Sequence, residues 1–166
     1  DDLVSFFEHK GCEFSLMHCV SIYPTPIEKM NLGLINILIK RYPHITIGWS
    51  THESPDDYDI IKIAYSQGAR MFEKHIGLNI KQYKLNAYSC DIDQFEKWIE
   101  SYKKTMITCG FKNTKFILAE EIDGINTLLR GVYAKKKIIK GQKLTTENVY
   151  FAMPFNKGQL ESGNFS

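Results

Sequence analysis

One stretch constrains the fold more than any other: residues 44–75, HITIGWSTHESPDDYDIIKIAYSQGARMFEKH. It reads as strand, turn, helix and strand, with a histidine just past the end of each apolar run, His52 and His75. Parallel strands joined by a right-handed helical crossover lie side by side, with their C-terminal ends at one edge. Two imidazoles distant in sequence therefore meet at one mouth, where α/β folds place their chemistry. A metal site is the expectation there.

The flanking sequence repeats the pattern. Residues 3–9 look like the end of a helix that Lys10 and Gly11 finish. EFSLMHCV (13–20) suits a buried parallel strand, and Pro24 and Pro26 of SIYPTP break it. Ile27, Met30, Leu34, Ile37 and Leu38 recur at helical spacing, so one helix is expected over 27–41, closed by Pro43. Residues 44–49 form the second strand. Ser54-Pro55-Asp56-Asp57 predicts the start of the next helix, with Ser as cap and acids in the first turn. Ile60, Ile61, Ile63 and Ala64 are its buried face and Gly68 its terminator. ARMFEKH is the third strand. After the longer segment IGLNIKQYKLNAYS comes a helix over about 91–108, with Phe95, Trp98, Ile99 and Tyr102 inward and Gly110 behind it.

Strands alternating with helices argue for an α/β fold with a parallel sheet. Three strands alone would leave two edges unpaired. Residues 1–117 are therefore expected to be the last three βα units of a (β/α)8 TIM barrel, which needs roughly 250 residues when complete. The chain opens without Met and without a strand, so it is expected to begin partway through a domain. LAEEIDGINTLL has weak helical periodicity and is read as a linker over 118–129. Residues 130–166 carry β-branched runs and a Lys-Gly turn, the start of a small β-rich second module.

Composition excludes several classes. The composition, 43% hydrophobic and 24% charged with a net charge of +2, does not indicate a polyanion-binding surface, and no aromatic-basic stripe suggests nucleic acid. Lys-rich KTMITCGFKNTK and AKKKIIKGQK read as solvated faces. Cys12, Cys19, Cys90 and Cys109 form no CxxC pair and no disulfide-like spacing. No signal peptide or membrane-spanning run is visible, so a reducing cytoplasm is the expected compartment.

Period-2 geometry selects the residues that reach the mouth. Ile45, Ile47 and Trp49 suit the covering helices; Thr46, Gly48, Ser50 and His52 take the other face. With Met71, Glu73 and His75 from the third strand and Cys19 and Ser21 from the first, the strand-end candidates are Cys19, Ser21, Ser50, His52, Glu73 and His75, with Lys74 nearby. Neutral imidazoles bind first-row metals, and Ser and Lys beside them suit a phosphate or carboxylate. The plain structural alternative is that each histidine caps its strand end and bonds a backbone carbonyl. His18 falls on the helix face and is read as structural, His9 and His44 as surface residues.

LMHCVSIYPTP, IGWSTHE, FEKHIGL and GVYAKKKIIKGQKLTTENV resemble the sialic acid synthase family, in that family's order and over nearly the whole chain. The family includes N-acetylneuraminate synthases and the related legionaminic, pseudaminic and spore-coat polysaccharide enzymes. The resemblance implies a TIM barrel followed by an antifreeze-like (SAF) domain, here partial. It implies a transferase that condenses phosphoenolpyruvate with an N-acetylmannosamine-like sugar, using a divalent metal, Mn²⁺ or Mg²⁺. His52 and His75 match the metal ligands. Ser50 matches a position near phosphoenolpyruvate, Ser21 a position where many members place an Asn, and Tyr23 the Tyr of YPTP. His52, His75 and Tyr23 are thus the catalytic expectations. Ser21, Ser50, Lys74, Asn86 and Tyr88 are the substrate-binding ones. A homodimer of the full-length protein is also implied.

The chain departs from the common pattern at Thr51 (SDH in many members), at Leu85 and Asn86 (the Asp-His of DHxxS) and at Met153, where a family Arg reaches the partner subunit. These departures point to a divergent branch. The family's earlier lysines and acid are not among these residues, so the 166 residues alone are expected to be inactive. Two other functions fit the same residues. One is a metal-dependent isomerase or hydrolase with His52, His75 and Glu73 as ligands; the other is a non-catalytic sugar- or anion-binding protein.

Overall fold

The structure is a computed structural model that describes residues 1–110 and 115–165. The chain divides into two compact units, Asp1–Phe111 and Lys112–Ser166.

The first unit runs α1 (Asp2–His9), β1 (Ser15–Cys19), a 3₁₀ turn (Ile27–Lys29), α2 (Gly33–Arg41), β2 (Thr46–Thr51), α3 (Ile60–Ser66), β3 (Met71–Lys74) and α4 (Ile92–Cys109). The strands form one parallel sheet in the order β1-β2-β3. The expected α/β alternation is therefore present. Ile45, Ile47 and Trp49 are buried against Ile35 of α2, Ile61 and Ala64 of α3 and Trp98 of α4. On the opposite face Met17, Gly48 and Met71 are register partners. A Cβ on Gly48 would lie 2.3 Å from Met17 Sδ and 2.6 Å from the Met71 carbonyl oxygen. The small residue lets the three strands keep their spacing there.

Two helices differ from the sequence expectation. The helix expected over 27–41 is broken into the 3₁₀ turn and α2, because Asn31 adopts a left-handed φ of 51°, a conformation that Asn tolerates better than most residues. His18 Nε2 lies 2.8 Å from the Met30 carbonyl and takes it as acceptor, so His18 is structural, as its face predicts. The helix expected to start at Ser54 starts instead at Ile60. Residues 54–57 form a turn closed by Asp57 N–H to the Ser54 carbonyl (3.0 Å). Tertiary partners hold the following residues: Gln94 Nε2 donates to Asp56 Oδ1 (2.9 Å), and Ser101 Oγ donates to the Tyr58 carbonyl (2.6 Å). A strong local start signal is overridden by α4 packing across it.

α4 begins as its sequence predicts. Asp91 Oδ1 accepts from Gln94 N–H (2.8 Å) and Gln94 Oε1 accepts from Asp91 N–H (3.0 Å), a reciprocal capping box. Gly110 closes the helix at φ 72°.

The second unit holds α5 (Ala119–Leu128) and an antiparallel pair, β4 (Gly131–Ala134) and β5 (Val149–Ala152). The stretch read as a linker thus folds as a helix, none of whose residues is buried. Residues 145–148 close as a turn: Thr145 N–H donates to Asn148 Oδ1 (2.9 Å) and Asn148 Nδ2 to the Lys143 carbonyl (2.9 Å). Met153 is exposed.

Candidate functional site

The parallel ladder sets the strand ends in rows. Cys19, Ser50 and Glu73 are register partners, and Thr51 pairs with Lys74, where the β2–β3 ladder ends. His52 and His75 each follow by one residue. Their ring centroids are 5.1 Å apart, inclined at 43°. Tyr23 lies 4.4 Å from His52, edge to face, and Tyr88 lies 5.1 Å from His75, 6.0 Å from His52 and 5.1 Å from Tyr23. Two imidazoles and two phenols form one cluster at the C-terminal edge of the sheet.

His52 is buried, His75 exposed. His52 Nδ1 is 3.2 Å from the Val20 carbonyl. A carbonyl oxygen only accepts, so this bond places the proton on Nδ1 and leaves Nε2 its lone pair. The Cys19 sulfur lies 4.0 Å from the same Nδ1. The His52 carbonyl accepts from Thr25 N–H (2.8 Å), and Thr25 Oγ1 donates to the Ile22 carbonyl (2.7 Å), which folds the SIYPTP segment back onto the histidine. The His75 carbonyl accepts from Cys90 N–H (2.9 Å), which brings the segment carrying Tyr88 to the site.

The other expected residues are placed as follows. Ser50 Oγ donates to Glu73 Oε1 (2.7 Å). Ser21 is exposed and makes no hydrogen bond among the described residues. Asn86 Oδ1 accepts from Tyr88 N–H (3.1 Å), so its side chain shapes the turn that presents Tyr88. Leu85 packs on the Gly77 backbone, where an added Cβ would come within 2.5 Å of Leu85 Cδ2. For Lys74 the resemblance leaves two roles open, a charge near the ligand or an ion pair within the barrel wall; its ammonium donates to Glu53 Oε1 (2.6 Å), with side chains only 2% and 1% exposed. The ladder turns Lys74 to the face opposite Glu73, which is the packed wall.

Glu53 is the residue that sequence reasoning missed. Its signal was present: an acid directly after one strand-end histidine and a lysine directly before the other. Cys90, fully buried close by, has its thiol pKa raised, first by burial, with the Lys74 charge acting in the opposite sense.

The donor set fits a divalent ion of the imidazole-binding class. The two rings lie 5.1 Å apart between centroids, and the Val20 carbonyl orients the first in the way metal-binding histidines are oriented. Among the described residues no three His, Cys, Asp or Glu side chains converge on one point, so Glu73 is not gathered with the histidines as a third ligand. An ion held by these two residues would keep open positions for water and substrate oxygen. No helix among the described residues is long and apolar enough to cross a membrane.

The NeuB family matches residues 1–114. The chain is similar to the pseudaminic acid synthase of Campylobacter jejuni (30% identity over 150 residues, 90% of this chain and 42% of that one). It superposes on a Chromobacterium violaceum protein assigned to spore coat polysaccharide biosynthesis (TM-score 0.84, 38% identity, 100% of this chain and 49% of that one). It is also similar to the N-acetylneuraminic acid synthetase of Leptospira borgpetersenii (TM-score 0.65, 27% identity, 75% of this chain and 42% of that one). The chain thus spans less than half the length of each of these relatives.

Proposed function

The chain belongs to the NeuB family, and from that premise we propose that it forms part of a nonulosonic acid synthase. The enzyme condenses phosphoenolpyruvate with an N-acetylmannosamine-like sugar and depends on Mn²⁺ or Mg²⁺. The β1-β2-β3 unit is then the C-terminal part of a TIM barrel, and residues 130–166 begin an antifreeze-like (SAF) domain. In the reaction the enol carbon of phosphoenolpyruvate bonds to the sugar aldehyde carbon, water adds at the neighbouring carbon, and inorganic phosphate leaves.

The single observation that carries this reading is the pair of imidazoles 5.1 Å apart inside a frame of two tyrosines. His52 and His75 would hold the ion, which when bound supplies Lewis-acid polarisation of the aldehyde. The chain's own groups then divide the remaining work. The Val20 carbonyl keeps the His52 proton on Nδ1, so the opposite nitrogen stays a donor of its lone pair. Tyr23 and Tyr88 flank the rings, limit water around them and present phenol hydroxyls to a polyhydroxylated substrate. Ser50 Oγ donates its proton to Glu73 Oε1 (2.7 Å) and so holds that carboxylate at the strand end, two residues before His75.

The test uses the full-length protein with phosphoenolpyruvate, a panel of N-acetylated hexosamines and Mn²⁺. Phosphate release that requires both substrates and the ion is expected, with His52→Ala and His75→Ala each lowering it about 10²-fold or more. Turnover undiminished by chelation, or by either substitution, would overturn the reading. Sugar binding without phosphate release would point to the non-catalytic alternative.

A further inference from the structure

We propose that the buried Glu53–Lys74 ion pair is a positioning device that sets the spacing between His52 and His75. The inference rests on the proposed role of the two histidines as a shared ion site. The β2–β3 ladder ends at Thr51–Lys74, so both histidines lie one residue beyond its last pairing. Nothing in a parallel ladder holds two chains together past its end. Glu53 follows His52 and Lys74 precedes His75, and their side chains meet at 2.6 Å in the wall. Among the described residues this is the one side-chain bond joining the segment just after β2 to the end of β3. The His75 ring makes no hydrogen bond of its own among those residues; the rings of Tyr88 and His52 pack on it.

The burial pattern favours geometry over stability as the pair's purpose. Glu53 Oε2 and Thr51 Oγ1 are buried without a hydrogen-bond partner among the described residues. A buried ion pair with an unsatisfied carboxylate oxygen is a poor way to stabilise a wall, since apolar groups of like volume serve as well or better. Its directional charge-assisted bond does what apolar packing cannot, fixing two backbone segments to one distance.

The experiment compares full-length wild type with the double variant E53Q/K74M, which removes both charges and keeps the wall filled. Three quantities are read: thermal midpoint, nuclear Overhauser contact between the His52 and His75 rings in metal-free protein, and Mn²⁺ affinity by electron paramagnetic resonance. The expected result is a thermal midpoint equal to or above wild type, loss of the ring–ring contact, and Mn²⁺ affinity reduced about 10–100-fold, as when other groups that orient metal ligands are removed. A retained ring–ring contact in the folded double variant would overturn the proposal, whatever happens to Mn²⁺. Should wild type bind no Mn²⁺ while the variant still loses the contact, the positioning role stands and the metal reading of the site falls. If the double variant does not fold, E53Q alone is read in the same way, with the retained contact again the overturning result.

Discussion

The two units of this chain are held together by different physics. In the first, apolar side chains from the helices and one sheet face pack into a common core, where Ile35, Ile61, Ala64 and Ala69 have no exposed surface. In the second, Val149 is the single buried hydrophobic among the described residues, and α5 leaves Ile122, Ile125 and Leu128 exposed. Polar side chains close that unit instead. Asn148 spans Lys143 to Thr145, and Gln159 joins the Asn156 N–H (3.0 Å) to the Val132 carbonyl (2.9 Å). The contrast shows where a precise site can be built. Side chains are held to a fixed geometry where the surrounding packing is dense, and the four-ring cluster sits on the unit that has such packing.

Substitutions can break or sharpen this contrast. Ile61→Ala should cost about 2–5 kcal/mol in urea unfolding, the range for truncating a fully buried aliphatic residue; Ile125→Ala on α5, 55% exposed, should stay within about 0.5 kcal/mol. Equal costs would erase the distinction between the units. Asn148→Ala removes two half-buried side-chain bonds that close the turn and should cost about 1–3 kcal/mol, taking each bond as about 0.5–1.5 kcal/mol, seen also as faster amide exchange at Thr145 and Val149. Asp91→Ala removes one arm of the α4 capping box and should cost about 1 kcal/mol, with unfolding monitored through Trp98. The mildest lever is pH. Cys90 is raised by burial, and Tyr58 by burial and then by the Asp56 carboxylate. Each group therefore binds its proton more tightly folded than unfolded. Their stabilisation is complete below the unfolded values and is lost as pH climbs from the ordinary thiol and phenol ranges towards the raised folded ones. Cys90→Ala should flatten the thiol part of that alkaline decline, and an unchanged profile would contradict the assignment.

Much of the first unit was legible because its signals are periodic. Ile45, Ile47 and Trp49 alternate with Gly48 and Ser50, and that alternation alone assigns the two faces that the apolar core and the register display. Asp91 and Gln94 mark a helix start that no tertiary contact opposes. The misreadings share one cause, a local signal outweighed by a distant partner. Ser54-Pro55 has every feature of a helix start, yet Gln94 and Ser101 of α4 hold that segment as a turn. Apolar spacing runs unbroken from Ile27 to Leu38, yet Asn31 turns left-handed and His18 takes the Met30 carbonyl. In the second unit, α5 looked like a linker because a helix without a buried face has little apolar contrast to display.

At the site, sequence by itself determined that His52 and His75 emerge at the same edge of the sheet, because parallel strands joined by a helical crossover end on one side; that their strands are neighbours is seen in the ladder. It determined equally that His18 stands apart from them, on the helix face. Only the tertiary structure decided that Lys74 turns into the wall to meet Glu53, that Asn86 serves the turn presenting Tyr88, and that Tyr23 folds back onto His52. Periodicity reports which way a side chain leaves the backbone. What it then touches depends on packing between segments far apart in the chain.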